Sequence, residues 1–315
     1  MKDSFGRTIE YMRISVTDRC NLRCRYCMPD GIELVPMDRI LSYEDIVKVV
    51  RVAASLGITR FKITGGEPLV RKGITKLIGM MKNTENVEQV SLTTNGVLLP
   101  EYIDELYSLN IDGINISLDT LDSDTYGKTT GVYALEKVLD GIDKSLEYGI
   151  KTKINSVVLK DMPIENYVAL SELAKDRKLD VRFIEMMPIG AGREYESVDC
   201  RKIIEALFAK YPDMENDYQI HGNGPARYYK PTGFTGSIGI INAVHDGFCD
   251  SCNRIRLTST GELKPCLCYG DTINLKDIKT DLTEAIKKAV MSKPCGHDFA
   301  AGDISERRNM SQIGG

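Results

Sequence analysis

No stretch of this sequence stays apolar for the roughly 20 residues that a membrane-spanning helix requires, and its first residues show neither the basic n-region nor the apolar h-region of a secretory signal. A membrane span and export are therefore not expected, and a cytoplasmic location is. An excess of charge is missing too: 41 Lys and Arg stand against 45 Asp and Glu, for a net charge of -4. That balance excludes a general nucleic-acid or membrane-surface binder, so an anionic substrate has to meet a local basic pocket. There are no low-complexity segments and no fixed-period repeats beyond the elements described below. The most telling shortage is a single cysteine: Cys20, Cys24 and Cys27 are spaced C-x3-C-x2-C with no fourth beside them.

Nine cysteines are present, an odd number, and six of them fall in two tight triplets. That usage suits metal ligation in a reducing compartment better than disulfides. A bacterial ferredoxin run supplies four thiolates, and structural zinc also takes four. Three thiolates on one turn can hold three irons of a [4Fe-4S] cube and leave the fourth iron open to a small molecule. On spacing alone, a partial zinc site or a redox thiol group competes with that reading.

The 315 residues, 42% of them hydrophobic, suffice for one large core and a smaller appended region. Short apolar, β-branched runs at 11–16, 61–64, 90–93, 113–118, 153–158 and 181–185 alternate with helical patterns, giving about six βα units. In the first helix Ser42 is the expected N-cap, Asp45 follows three residues on, Ile46, Val49, Val50 and Ala53 share one face, and Gly57 ends it. Alternating strands and helices predict a parallel sheet with right-handed crossovers, and six units fall short of the eight of a closed barrel. The expected fold class is α/β, a partial, open (β/α)6 TIM-like barrel. Its chemistry belongs where strands end: the cysteine loop, Gly65-Gly66-Glu67-Pro68, Thr93-Thr94-Asn95-Gly96, Ser117-Leu118-Asp119, Asn155 and Glu185-Met186-Met187 would face one rim. A helix is expected over 200–210, and a hairpin from strands 254–258 and 262–267 about the turn Ser259-Thr260-Gly261. The barrel is assigned residues 1–217, and 218–315 form a second region that carries the other triplet and closes the barrel mouth.

The run Asp18-Arg19-Cys20-Asn21-Leu22-Arg23-Cys24-Arg25-Tyr26-Cys27 resembles the signature of radical S-adenosylmethionine (SAM) enzymes. In them SAM chelates the unique iron, and an electron from the cluster cleaves it to a 5′-deoxyadenosyl radical. Gly65-Gly66-Glu67-Pro68 after a strand resembles the glycine segment that approaches the amino and carboxylate groups of SAM, where a missing Cβ permits close contact; by itself such a pair is merely a turn. The resemblance implies SAM contacts from Tyr26, Gly66, Ser117 and Met187. Without it, Ser117 is a rim serine and Met187 a core methionine.

Cys249, Cys252 and Cys266, spaced C-x2-C-x13-C, resemble the substrate-binding cluster of the GTP 3′,8-cyclase family, which performs the first step of molybdenum-cofactor biosynthesis. The likeness covers nearly the whole chain, including Arg13, Asn253-Arg254-Ile255-Arg256 and the terminus Met310-Ser311-Gln312-Ile313-Gly314-Gly315. It implies SAM and two [4Fe-4S] clusters, one on Cys20, Cys24 and Cys27 and one on Cys249, Cys252 and Cys266. It also implies GTP contacts from Arg13, Lys62, Thr93, Lys153, Arg182, Arg254, Ile255 and Arg256, and a Gly314-Gly315 tail that reaches the catalytic site and presents backbone groups to the substrate or to Arg13. At Lys62 the family is associated with arginine, a forked donor in place of a point charge. Cys268 would complete a four-cysteine zinc site, so spacing alone leaves zinc and iron-sulfur equally open for this triplet; Cys200 and Cys295 are left without a role.

The activity so implied is a radical SAM lyase reaction, cyclisation of GTP to (8S)-3′,8-cyclo-7,8-dihydroguanosine 5′-triphosphate. It needs a reductase as electron donor and hands its product to cyclic pyranopterin monophosphate synthase, with neither nucleic acid nor membrane as partner. The sequence sets no oligomeric state, a homodimer being one option. Two rivals remain: a peptide-modifying radical SAM enzyme, whose C-terminal extension usually carries more cysteines, and a non-catalytic protein holding one iron-sulfur cluster and one zinc.

Overall fold

The computed structural model describes residues 1–29, 33–275, 281–297, 299 and 304–314. Strands and helices alternate as β1 (Tyr11–Ser15), α1 (Tyr43–Ser55), β2 (Arg60–Thr64), α2 (Ile74–Lys82), β3 (Gln89–Thr94), α3 (Leu99–Ser108), β4 (Ile114–Ser117), the pair α4 (Ser123–Thr130) and α5 (Leu135–Glu147), β5 (Thr152–Val158), α6 (Ile164–Ser171) and β6 (Leu179–Glu185). These six strands pair in parallel in chain order. Helix α1 begins as expected: Ser42 Oγ accepts from the Asp45 N–H at 3.0 Å and donates to Asp45 Oδ2 at 2.6 Å. Gly57, at φ +86°, takes the left-handed conformation just after it.

After α7 (Arg201–Lys210) come short elements: β7 (Glu215–Asp217), β8 (Arg227–Lys230), β9 (Ile238–Ile241), β10 (Arg254–Leu257), β11 (Glu262–Lys264), β12 (Ile273–Asn274), α8 (Leu282–Met291) and α9 (Met310–Ile313). The hairpin forms, β10 pairing antiparallel with β11. Its first strand also lies parallel to β1, and β9 lies parallel to β6. The parallel array is thus wider than the six βα units predict, in the order β10-β1-β2-β3-β4-β5-β6-β9. An edge strand leaves a row of unpaired N–H and C=O groups, and the last third of the chain satisfies both edges. Antiparallel β11 and β12 extend one side and β8 and β7 the other, with no pairing between the two ends among the described residues. The barrel stays open.

Side chains alternate across a strand. Met12 and Ile14, Phe61 and Ile63, Val90 and Leu92, Ile114 and Ile116, and Val181 and Phe183 are fully buried in the main apolar core. The intervening Arg13, Lys62, Ser91, Asn115, Lys153 and Arg182 line a cavity on the other face. Parallel strands buried on both faces usually read as continuous apolar runs; here the inner face is polar, so the lumen is a chamber rather than a packed core. A second, small apolar cluster joins Ile189, Ala243, Cys268, Phe299 and Ile313, with Met187, Phe248 and Met310 against it. It gathers the segments that follow β6, β9 and β11 together with α9. Among the described residues, no helix is long and apolar enough to cross a membrane.

Candidate active site

Cys20, Cys24 and Cys27 lie on the loop that leaves β1, at the carboxyl end of the parallel strands. Three anchors hold that loop. The Tyr26 hydroxyl donates to Asp119 Oδ2 at 2.6 Å, and Asp119 Oδ1 accepts from the Val157 N–H at 2.8 Å, which ties the loop to the ends of β4 and β5. Asn95 Nδ2, after β3, donates to Asn21 Oδ1 at 2.7 Å and reaches Cys20 Sγ at 3.6 Å. The Gly66 N–H donates to the Thr17 carbonyl at 2.7 Å and the Glu67 N–H to that of Arg19 at 2.8 Å.

The glycine pair has a structural reason that sequence reasoning did not supply. A Cβ on Gly66 would stand 2.4 Å from the Arg19 carbonyl oxygen and 2.6 Å from that of Asp18; on Gly65 it would stand 2.6 Å from that of Thr17. Only glycine lets the end of β2 pass so close to the entry of the cysteine loop. The sequence marks Glu67, fully buried, only as part of its glycine motif. Its carboxylate accepts from the Leu69 N–H at 2.9 Å, the Thr94 hydroxyl at 2.8 Å and the Asn95 N–H at 2.6 Å. Burial pushes this carboxyl up to about 7, and Asn95, which it fixes, is the residue that meets Cys20.

Below this rim the lumen forms a concave chamber, the setting in which small-molecule sites are usually built. Arg13, Lys62, Lys153, Arg182 and Arg254 line it. Burial, reinforced by repulsion from Arg182, Arg13, Lys153 and Arg254, holds Lys62 well below the ordinary lysine value. Burial and Arg182 likewise bring Lys153 down to about 8 in spite of its 2.7 Å ion pair with Asp180. Burial and the charges of Arg13 and Arg254 take Arg256 down to about 9. Cations so crowded suit a polyanionic ligand. Thr93 lies beside them, 3.5 Å from Asn115 Nδ2, and Ser117 is exposed at the end of β4. Ile255 faces the other way: its side chain is fully buried in the apolar core, so only its backbone is left for a ligand.

The amino end of the lumen is lined by residues 221–224, which no motif announced. Asn223 donates to Gln89 Oε1 at 2.5 Å and accepts from Arg60 at 3.3 Å, across the starts of β2 and β3. His221 stacks on Tyr228 at 3.9 Å, with Asp180 and Asp217 each 2.9 Å from one ring nitrogen.

The second triplet lies beside β10. Arg7, paired with Asp3 at 2.6 Å, donates to the carbonyls of Cys249 at 2.8 Å, Cys295 at 2.9 Å and Pro294 at 2.7 Å. Cys252 Sγ is 3.6 Å from Lys293 Nζ, and Arg254 lies over the Phe248 ring at 5.2 Å. Cys266 and Cys268 are unequal. Cys268 sits in the small apolar cluster, its thiol hydrogen-bonds Cys266, and its N–H reaches Cys266 Sγ at 3.5 Å. The bonds from Cys268, with the charges of Lys293 and Arg256, lower the Cys266 thiol, whereas the bond to Cys266, burial and the charge of Cys266 raise that of Cys268.

The C-terminal tail reaches both triplets. Asn309 caps α9 through reciprocal bonds with Gln312, and upstream a buried ion pair between Lys264 and Glu306 fixes the approach. The Ser311 backbone bonds the Cys27 thiol. Gly314, at φ +74°, has its Cβ position 2.9 Å from Thr64 Oγ1 and 3.0 Å from Ser15 Cβ, and its carbonyl accepts from Arg256 Nη1. Gly315 lies outside the described residues.

Burial raises the thiols of Cys20 and Cys24 and pushes Cys27 up to about 12, with neighbouring thiols adding to the rise at Cys24 and Cys27. Three half-buried thiols this close become stable thiolates only beside strong positive charge, which iron supplies. Among the described residues no three His, Cys, Asp or Glu side chains converge to hold a single metal ion. A cubane makes a different demand, since each thiolate takes its own iron.

An open parallel barrel with a three-thiol loop after its first strand is radical SAM architecture, and residues 14–174 match the family model for the Radical SAM superfamily. Residues 179–299 match the model Molybdenum Cofactor Synthesis C. The fold is similar to that of Streptococcus suis SuiB bound to S-adenosylmethionine, with a TM-score of 0.65 and 17% identity over 89% of this chain and 68% of that one. Native anSMEcpe with bound AdoMet gives 0.58 and 17% over 87% and 81%. The GTP 3′,8-cyclase of Clostridium perfringens strain 13 is 42% identical over the full length of both chains, and that of Petrotoga mobilis 41% over the same full coverage. The chain belongs to the GTP 3′,8-cyclase family. Membership removes the peptide-modifying and zinc-binding rivals; SAM and two [4Fe-4S] clusters are the family's cofactors, and the donor sets fit them.

Proposed function

We propose that this chain cyclises GTP to (8S)-3′,8-cyclo-7,8-dihydroguanosine 5′-triphosphate, the opening step of molybdenum-cofactor biosynthesis, in the lumen between its two cysteine triplets. The observation that carries the reading is the cage of Arg13, Lys62, Lys153, Arg182 and Arg254 around one cavity, where mutual repulsion among cations is relieved by a triphosphate. Cys20, Cys24 and Cys27 would hold the first cluster, with Tyr26, Gly66, Ser117 and Met187 around SAM. Cys249, Cys252 and Cys266 would hold the second, in the 218–315 region. When bound, the first cluster and SAM supply the radical that takes hydrogen from the ribose C3′. The chain's own residues bind, aim and shield: the cationic cage fixes the triphosphate, Arg254 and Arg256 extend it toward the second triplet, and the tail ending in Gly314-Gly315 would present its backbone to the substrate.

The same reading calls for a cytoplasmic setting, a one-electron reductase, and cyclic pyranopterin monophosphate synthase as consumer of the product; a homodimer is one assembly option, read by sedimentation. The test is 5′-deoxyadenosine formation by the anaerobically reconstituted, reduced protein. GTP is expected to support it together with the cyclised nucleotide, and ATP is not. Equal 5′-deoxyadenosine yields with GTP, ATP or no nucleotide would sink the assignment.

A further inference from the structure

Thirteen residues lie between Cys252 and Cys266, which reach the second triplet from two different segments. Something must hold those segments in register. Lys293, just beyond α8, is 4% exposed. Its Nζ donates to the Arg254 carbonyl at 2.8 Å and to the Pro265 carbonyl at 2.8 Å, and stands 3.6 Å from Cys252 Sγ. Arg254 is two residues past Cys252, and Pro265 immediately precedes Cys266. One ammonium therefore joins the two segments that deliver two ligands.

Its charge is equally telling. A buried ammonium is costly unless an anion accompanies it, and among the described residues Lys293 forms no salt bridge with a carboxylate; its partners are two carbonyls and a thiol. The negative charge it faces is that of the triplet. Hydrogen bonds to cluster sulfurs and nearby charge set the potential of an iron-sulfur centre. One-electron reduction adds a negative charge to the cube, and an adjacent ammonium favours the reduced form more than the oxidised one.

We propose that Lys293 is a positioning residue for the second cluster, stapling the Cys252 and Cys266 segments together and raising the cluster's reduction potential. This rests on the reading that Cys249, Cys252 and Cys266 hold a [4Fe-4S] cluster, and the test separates the two. The full-length chain with Cys20, Cys24 and Cys27 replaced by serine retains only the second site. Reconstituted anaerobically, it is expected to bind about four irons; a parent that binds none overturns the cluster reading itself.

In that parent, Lys293→Arg, Lys293→Gln and Lys293→Met are compared by EPR-monitored redox titration with dithionite and by the rate of iron loss to a chelator. The arginine variant is expected to stay near the parent potential. The neutral variants are expected to shift to a more negative potential and lose iron several-fold faster, with Met losing it faster than Gln, which still donates to a carbonyl. A neutral variant that matches the parent in both measurements overturns the proposal. Should the neutral variants fail to load, pulsed EPR on the reduced parent labelled with ¹⁵N-lysine decides: coupling to one lysine nitrogen, lost in Lys293→Arg, is expected, and no coupling overturns the proposal.

Discussion

The backbone carbonyl of Gly314 accepts a hydrogen bond from the guanidinium of Arg256. That guanidinium lies in the field of Cys266, while Ser311, three residues before Gly314, bonds the Cys27 thiol. The tail is thus held at once by the surroundings of both triplets. A peptide end without side chains is normally frayed; this one is buried through Gly314 and shaped by the left-handed turn that ends α9.

Replacing Gly314 by alanine should therefore act on chemistry more than on folding. A left-handed conformation costs an alanine roughly 1–2 kcal/mol, and its Cβ would crowd Thr64 and Ser15, so the tail should withdraw. The cyclised product is expected to fall at least about tenfold, since a small misplacement suffices, with iron content, SAM binding and melting temperature nearly unchanged. Deleting Gly314 and Gly315 should do the same, whereas normal turnover in either variant would mean that the tail does not position the reaction.

The two neighbouring cysteines should behave differently. Cys266→Ser is expected to lose the second cluster, about half of the total iron. Cys268→Ser should largely keep it, because that thiol packs in the small apolar cluster and only hydrogen-bonds its neighbour. Iron and sulfide assays on both proteins decide the ligand; iron loss confined to Cys268→Ser would reverse the assignment.

Gly66→Ala places a methyl 2.4 Å from the Arg19 carbonyl oxygen, which only a shift of the cysteine loop relieves. Overpacking of this kind typically costs about 1–3 kcal/mol. The first cluster should be lost or poorly loaded while the second remains, leaving about four irons in place of about eight. Full iron content with normal SAM cleavage would show that the loop tolerates the shift.

Lys153 carries a pH signature. Its folded-state value of about 8 lies below the ordinary 10.5 of lysine, so the charged form in the empty chamber is fully present below pH 8 and fades above it. The destabilisation that this buried charge brings is correspondingly greatest below pH 8 and is relieved between about 8 and 10.5. A triphosphate favours the charged form, so GTP affinity should fall as pH rises through 8, and binding at about pH 8.5 should take up a proton. Calorimetry in two buffers of different ionisation enthalpy measures that uptake, and Lys153→Met should reduce it, Lys62 supplying what is left. Equal binding heats in both buffers would rule out this coupling.

Much of the barrel was legible in the chain because parallel strands and their helices are specified by local periodicity. The run at 153–158 lies within β5, and Ser42 caps α1 as its hydroxyl and spacing suggest. The two outer parallel strands were not legible: β10 reads as half of a hairpin, and only the free edge of β1, more than 200 residues away, gives it a parallel partner. The crowding of Lys62 and Lys153 was equally hidden, since it depends on which faces of five strands meet across a lumen. Arg7 and Lys293 went unnoticed, and Glu67 was read only as part of its glycine motif, because the contacts that give them a role are with groups distant in sequence, and no spacing rule marks such contacts.

What the sequence determined by itself is the chemistry. A first cysteine triplet one short of saturation, a second that Cys268 leaves open between zinc and iron-sulfur on spacing alone, a glycine pair after the second strand and a Gly-Gly terminus are short-range patterns, legible because thiolate ligation and close backbone approach demand fixed residue types at fixed spacings. What only the tertiary structure decided is the company these groups keep. The packing of Cys268 into the small apolar cluster, the clash that reserves Gly66 for glycine, and the bond from Arg256 to Gly314 arise where segments far apart in the chain come within a few ångströms. Burial and long-range pairing set those distances, and local sequence carries no record of them.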